Sequence, residues 1–139
     1  VYAADSLGRS VSLPRVSPDG KHIAMAEGGY GYFNIWHHDA DIKVLGVDAS
    51  GINSVGYAES YPSWSSNGKW LMCASRRDDG NYSRVYISYF DGDSIYKAFE
   101  LPQEDPRHNM LRLNSYNRPE FMKEAVKVSV KDFANVVKE

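Results

Sequence analysis

Apolar positions along this chain come in short runs, each closed by a cluster of turn-forming residues. Residues 11–17 and 60–66 carry β-branched, aromatic and small side chains and run into "SPDG" and "SSNG". A short apolar strand is predicted after each turn, at His22–Ala26 and Trp70–Ala74. A loop rich in Gly and Asp follows each strand, "EGGYGY" at 27–32 and "RRDDGN" at 76–81. Third strands are predicted at Phe33–His37 and Arg84–Tyr89, and weaker fourth strands at 42–47 and 94–101. Short strands punctuated by turn signals about every 8–12 residues predict an all-β fold.

The pattern repeats. "RVSPDGKHIAM" at 15–25 has its echo in "SWSSNGKWLMC" at 63–73, and Gly20 recurs 48 positions on as Gly68. The same offset carries Pro14 to Pro62, Ser17 to Ser65, Lys21 to Lys69 and Met25 to Cys73. A second match pairs "NIWHHDAD" at 34–41 with "RVYISYFD" at 84–91, so that Ile35 meets Val85, Trp36 meets Tyr86 and Asp41 meets Asp91. Its offset of 50 is read as a loop two residues longer in the second copy. In the turns, Pro18 and Asp19 take the centre and Gly20 is free to adopt a positive φ, with Asn67 and Gly68 in the same places. Four strands in a repeat of about 40–50 residues match the blade of a β-propeller.

The run P-x-x-S-P-D-G-K-x-I-A-M, followed by an I-W or V-Y strand and an Asp, resembles the WD-repeat-like "SPDGK" blades of the TolB-type propeller family. The resemblance covers roughly residues 11–101 as two blades, about 11–48 and 60–101, and implies a member of a usually six-bladed fold. The second copy departs from the family pattern at Ser66 and Asn67, where Pro and Asp are usual; a turn tolerates both. The tail "LNSYNRPEFMKEAVKVSV" is similar to the C-terminal end of propeller proteins from Bacteroidetes that are often exported or lipid-anchored, which implies a periplasmic or outer-membrane-associated location.

Two blades cannot close a propeller, which takes about four or more. An open pair leaves strand edges and blade faces uncovered, a route to association. The expectation is therefore either a segment of a longer protein, favoured by a first residue Val1 that is not Met, or a homo-oligomer that completes the ring. Residues 102–139 are expected to form a C-terminal extension packed on the last blade. "LPQEDPRHNM" reads as a connection and "LRLNSY" at 111–116 as a strand. A helix is expected from Asn117, with Pro119 in its first turn and Glu120 completing a capping box. A second is expected from Ser129, with Asp132 in the third position and Phe133, Val136 and Val137 on one apolar face.

Charge and composition narrow the functions little. A formal net charge of −2 and the lack of a basic stripe speak against nucleic acid. No apolar run approaches the roughly 20 residues of a membrane span, and the single cysteine, Cys73, forms no internal disulfide. Adjacent His37 and His38 on a strand point to opposite faces and cannot chelate one metal together; His22 and His108 are the only other histidines. Asp78, Asp79 and Asn81 around Gly80 offer oxygen ligands, but without the spacing of a calcium loop they read as a hairpin turn. Asp91, Gly92 and Asp93 read likewise, and Cys73 reads as a small core residue rather than a nucleophile. No G-x-S-x-G elbow or phosphate loop is present. No catalytic, cofactor-binding or metal-binding residue is assigned, and the repeated stretch reads as scaffold.

Two functional classes follow. The first is a non-catalytic module binding protein or ligand, probing partners at the cell envelope. The second, implied by the resemblance, is the propeller part of an enzyme, either the cap of a prolyl-oligopeptidase-type peptidase or a polysaccharide lyase with histidine-bound metal on its axis. The peptidase needs a hydrolase domain after the propeller, for which about forty residues are too few. The lyase needs histidines at equivalent positions of consecutive blades, and His37 is matched only by Ile87. The binding module is the favoured expectation.

Overall fold

The computed structural model describes residues 5–31 and 33–136; Tyr32, Val137 and both chain ends lie outside the described residues. The chain is mostly β, in two antiparallel sheets. Strands β1 (Ser10–Val16), β2 (Ile23–Gly28) and β3 (Asp41–Val44) form a three-stranded sheet in that order. Strands β4 (Glu59–Trp64), β5 (Trp70–Ser75), β6 (Arg84–Tyr89) and β7 (Phe99–Glu100) form a four-stranded one.

The repeated turns are built from the same bonds twice. Gly20 N–H donates to the Ser17 carbonyl and Gly68 N–H to that of Ser65, both at 2.9 Å, with φ of 74° and 67° at the glycines. Ser17 Oγ donates to Asp19 Oδ1 at 2.5 Å and accepts from His22 N–H at 3.0 Å. Ser65 Oγ does the same with Asn67 Oδ1 at 2.7 Å and Trp70 N–H at 2.9 Å. Only the Oδ1 acceptor is used, also by the N–H of Lys21 or Lys69, so asparagine replaces aspartate without loss.

A core shared by both sheets joins them. Ala24, Ile42 and Val44 of the first pack with Trp64, Leu71, Cys73 and Tyr86 of the second and with Phe90 beyond it. The Trp64 indole N–H donates to the Arg15 carbonyl at 3.1 Å, and its ring lies 5.4 Å from that of Phe90, which His22 meets edge-on from the first sheet. An aromatic side chain with a polar tip suits a contact that is apolar except at one carbonyl.

Several expectations are corrected. The strand expected at Phe33–His37 is a 3-10 turn over Asn34–Trp36, closed by His37 N–H to the Asn34 carbonyl at 2.8 Å. Asn34 and Ile35 are both buried within this turn. Gly29 allows this fold-back, since a Cβ there would come within 2.8 Å of the Asp39 carboxylate. The third strand of the first sheet is instead β3, so Ile42 stands opposite Ala26 as Val85 stands opposite Ala74. The longer loop therefore belongs to the first copy, and that sheet has three strands, not four. The edge of β3 is closed by a side chain: the Asn53 amide accepts from Ile42 N–H and donates to the Ile42 carbonyl, both at 2.8 Å. In the second copy the fourth strand shrinks to Phe99–Glu100 with an isolated bridge from Phe90 to Ile95.

The tail also differs. A helical turn, α1 (His108–Leu111), replaces part of the expected connection, and no strand forms at 111–116. No helix forms from Asn117; Arg118 has a φ of 55°, outside helical range. Helix α2 (Val130–Val136) is present, and its capping box forms, Ser129 N–H donating to Asp132 Oδ2 at 2.7 Å. Its residues are all exposed, Phe133 included, so it is not packed on a sheet. Residues 109–120 do bind the sheets: Tyr116 N–H donates to the Ser83 carbonyl at 2.9 Å and Arg84 Nη1 to that of Asn114 at 3.1 Å.

Candidate functional site

Among the described residues, three other than glycine have a positive φ: Leu13 at 57°, Tyr61 at 56° and Arg118 at 55°. Each immediately precedes a proline. In the sheets, Leu13 and Pro14 stand against Met25 alone, and Tyr61 and Pro62 against Cys73 alone, as the register shifts by one residue. These are β-bulges, and proline fits them because no ladder bond is asked of its nitrogen. A φ of this sign costs of order 1–3 kcal/mol in a residue with a side chain and persists only where the surroundings hold it. The third kink, Arg118–Pro119, belongs to no strand yet has nearly the same φ.

All three kinks line one pocket of about 280 Å³. The residues after each proline are Arg15, Ser63 and Glu120, and Arg15 Nη2 pairs with Glu120 Oε1 at 2.8 Å across the mouth. Arg118 sets its guanidinium 5.9 Å from the centre of the Tyr61 ring. The lining is mixed, with Leu13 and three proline rings beside Arg15, Tyr61, Arg118 and Glu120, and it includes no serine, cysteine or histidine. Such a pocket can hold a small ligand or a partner's side chain; it offers no nucleophile beside a base.

A buried polar cluster forms around Glu59 at the start of β4. Glu59 has no exposed surface. Its carboxylate accepts from Ser75 Oγ at 2.6 Å, Ser54 N–H at 3.1 Å and Arg77 Nη2 at 3.3 Å. Arg77 also donates to the Ile52 carbonyl at 2.6 Å and lies over the Tyr86 ring at 4.1 Å. Burial pushes the Glu59 carboxyl above its ordinary range, opposed by these donors. The cluster ties the 52–54 connection to the second sheet, a structural use of buried charge.

The sequence-predicted candidates fall as follows. Pro18, Asp19, Asn67 and Gly68 come together in one shallow cleft, Gly68 standing against the Pro18 ring. His37 is half-buried and stacked on Tyr30 at 4.2 Å, while His38 is exposed with Nδ1 3.3 Å from the Gly56 carbonyl, so the two do not converge. Asp79 Oδ1 accepts from the N–H of Asn81 and Tyr82, and Asp78 accepts from the Tyr86 hydroxyl at 2.8 Å. Asp91 Oδ1 holds the N–H of Asp93 and Ser94, as a hairpin turn requires. Cys73 is fully buried and its thiol is pushed far up by burial, which keeps it protonated. Among the described residues no group of three or more His, Cys, Asp or Glu is placed to hold a metal, and no helix is long and apolar enough to cross a membrane.

No known family, no curated protein and no solved structure matches this chain. The kinks and Glu59 were missed in the sequence. The Pro14–Pro62 repeat was visible there, but Arg118–Pro119 follows a different spacing and looks like a helix start.

Proposed function

We propose that the chain is a β-propeller segment acting as a non-catalytic interaction scaffold, its two sheets being successive blades. The observation that carries this reading is the kink before proline, made three times with the same φ around one pocket. A backbone device repeated about a common centre is what blades arranged around an axis require, and Arg118–Pro119 brings a third copy of it to that centre. The rim chemistry supports binding rather than turnover, since arginine and tyrosine recognise but bring no activated nucleophile. A cell-envelope location, periplasmic or outer-membrane-associated, rests on the resemblance of the repeats and tail, and the partner is a protein, a ligand or further blades.

Two measurements test this. A crystal structure of the protein at its full natural length should place the pocket on the rotation axis of a propeller; a pocket off any axis would refute the blade reading. Incubation with a chromogenic prolyl peptide and with a polyuronate, with and without Ca²⁺ or Mn²⁺, should give no turnover. Measurable cleavage of either would move the chain to the enzyme class.

A further inference from the structure

The 3-10 turn that replaces the expected strand brings Trp36 to the surface, with two thirds of its area (67%) exposed. Arg76 lies over one face of the indole, its guanidinium carbon 3.9 Å from the ring centre. With one face covered and this much surface left, the other face is open to solvent. Tyr30, 73% exposed, stacks on His37 beside it.

Arg76 is the unusual member. It is 9% exposed, its Nε is buried without a partner, and among the described residues no carboxylate stands within ion-pair distance. Asp79, the acidic group whose field reaches it, is held by backbone N–H groups and by Arg84 at 3.9 Å. Buried cations are ordinarily paired, because desolvation without a counter-charge costs several kcal/mol. His37 Nδ1, in the same small hollow, is also buried without a partner. Arg76, mostly buried beneath an open indole and with no carboxylate partner among the described residues, is therefore the group that an incoming anion would meet.

We propose that Trp36, Arg76, His37 and Tyr30 form a docking site for an acidic protein segment, in which an Asp or Glu carboxylate meets Arg76 and a neighbouring apolar side chain lies on Trp36. The composition favours a peptide: Trp, Tyr and Arg dominate protein hot spots, and the patch has no lysine. The acidic occupant follows from the guanidinium, which only donates and pairs best with a carboxylate. The site gives the scaffold of the preceding section its class of partner and rests on that reading.

Isothermal titration uses an N-acetylated, C-amidated peptide alternating aspartate with phenylalanine, the same peptide with asparagine for aspartate, and a heparin fragment. The aspartate peptide should bind saturably and at least about tenfold more tightly than the asparagine peptide, and should shift the Arg76 Nε–H resonance. Trp36→Ala, an exposed position whose loss leaves the core intact, should weaken binding at least about tenfold. Arg76→Gln should do likewise, with circular dichroism confirming its fold. Equal affinity for the two peptides, no saturation in the millimolar range, tighter binding of the heparin fragment, or an unchanged Trp36→Ala variant would each overturn the proposal. The turnover assays report separately on the scaffold reading, so a failed titration without turnover removes the peptide site alone.

Discussion

Glutamine or alanine in place of Glu59 probes the most deeply buried charge among the described residues. The wild-type carboxylate accepts from Ser54 N–H, Ser75 Oγ and Arg77 Nη2 and has no contact with solvent. Glu59→Ala removes the acceptor of all three donors and leaves the Arg77 side chain, 14% exposed, without its carboxylate. Breaking a buried pair from one side costs about 3–5 kcal/mol, a large share of the roughly 5–15 kcal/mol that holds a domain folded. Glu59→Gln keeps the shape and one acceptor oxygen but turns an NH₂ toward donors, which costs about 1–3 kcal/mol. The pH dependence separates charge from shape. Because burial raises the folded carboxyl above its ordinary value of 4.5, the folded protein holds that proton more tightly than the unfolded chain. The contribution of Glu59 is then fully present below the ordinary value and falls as pH rises through the folded one. The glutamine variant has no such step, so its stability gap to wild type should narrow from acid to neutral pH. Urea unfolding of the three proteins across this range measures both effects. A loss below about 1 kcal/mol in Glu59→Ala would refute the accounting. A gap that widens with pH would show a carboxyl lowered by Arg77, not raised by burial.

Three further outcomes are expected. Gly20→Val or Gly68→Val should destabilise the protein by more than about 1 kcal/mol, because a β-branched residue resists the positive φ found at both turns; melting equal to wild type would remove that role. Trp64→Phe keeps ring contact with Phe90 but leaves the Arg15 carbonyl without its donor, for a loss of about 1–2 kcal/mol, against about 3–5 for Trp64→Ala; equal unfolding midpoints for the two variants would show that the indole bond does not join the sheets. Added Ca²⁺, Zn²⁺ or Mn²⁺ should leave the melting temperature unchanged, since Asp78 and Asp79 are spent on Tyr86 and on backbone N–H groups; a saturable rise lost in an Asp78→Ala/Asp79→Ala double variant would reveal a site there.

What the sequence by itself determined is local and made of near neighbours. The turns follow from Ser17–Gly20 and Ser65–Gly68, whose bonds span five residues or fewer, and the strands after them follow from the short apolar runs that begin there. The capping box at Ser129 and Asp132 is legible for the same reason. The tertiary structure decided what depends on distant partners. "FNIWH" is apolar enough for a strand, yet Ile35 is buried with Ala40, Ala58 and Ala74 in a 3-10 turn, and the strand position passes to Asp41–Val44. The exposure of Trp36 and the missing anion of Arg76 follow from that exchange, and no pattern within either segment announces it. Arg118–Pro119 has the letters of a helix start, but Arg118 shares the positive φ of the two bulges and meets Tyr61, and Glu120 pairs with Arg15, all partners more than fifty residues away. Glu59 finds Ser75 and Arg77 only when β4 and β5 pair. Short-range hydrogen bonds and side-chain alternation are written along the chain; a buried charge, a strained φ or an open aromatic face depends on what the fold brings beside it.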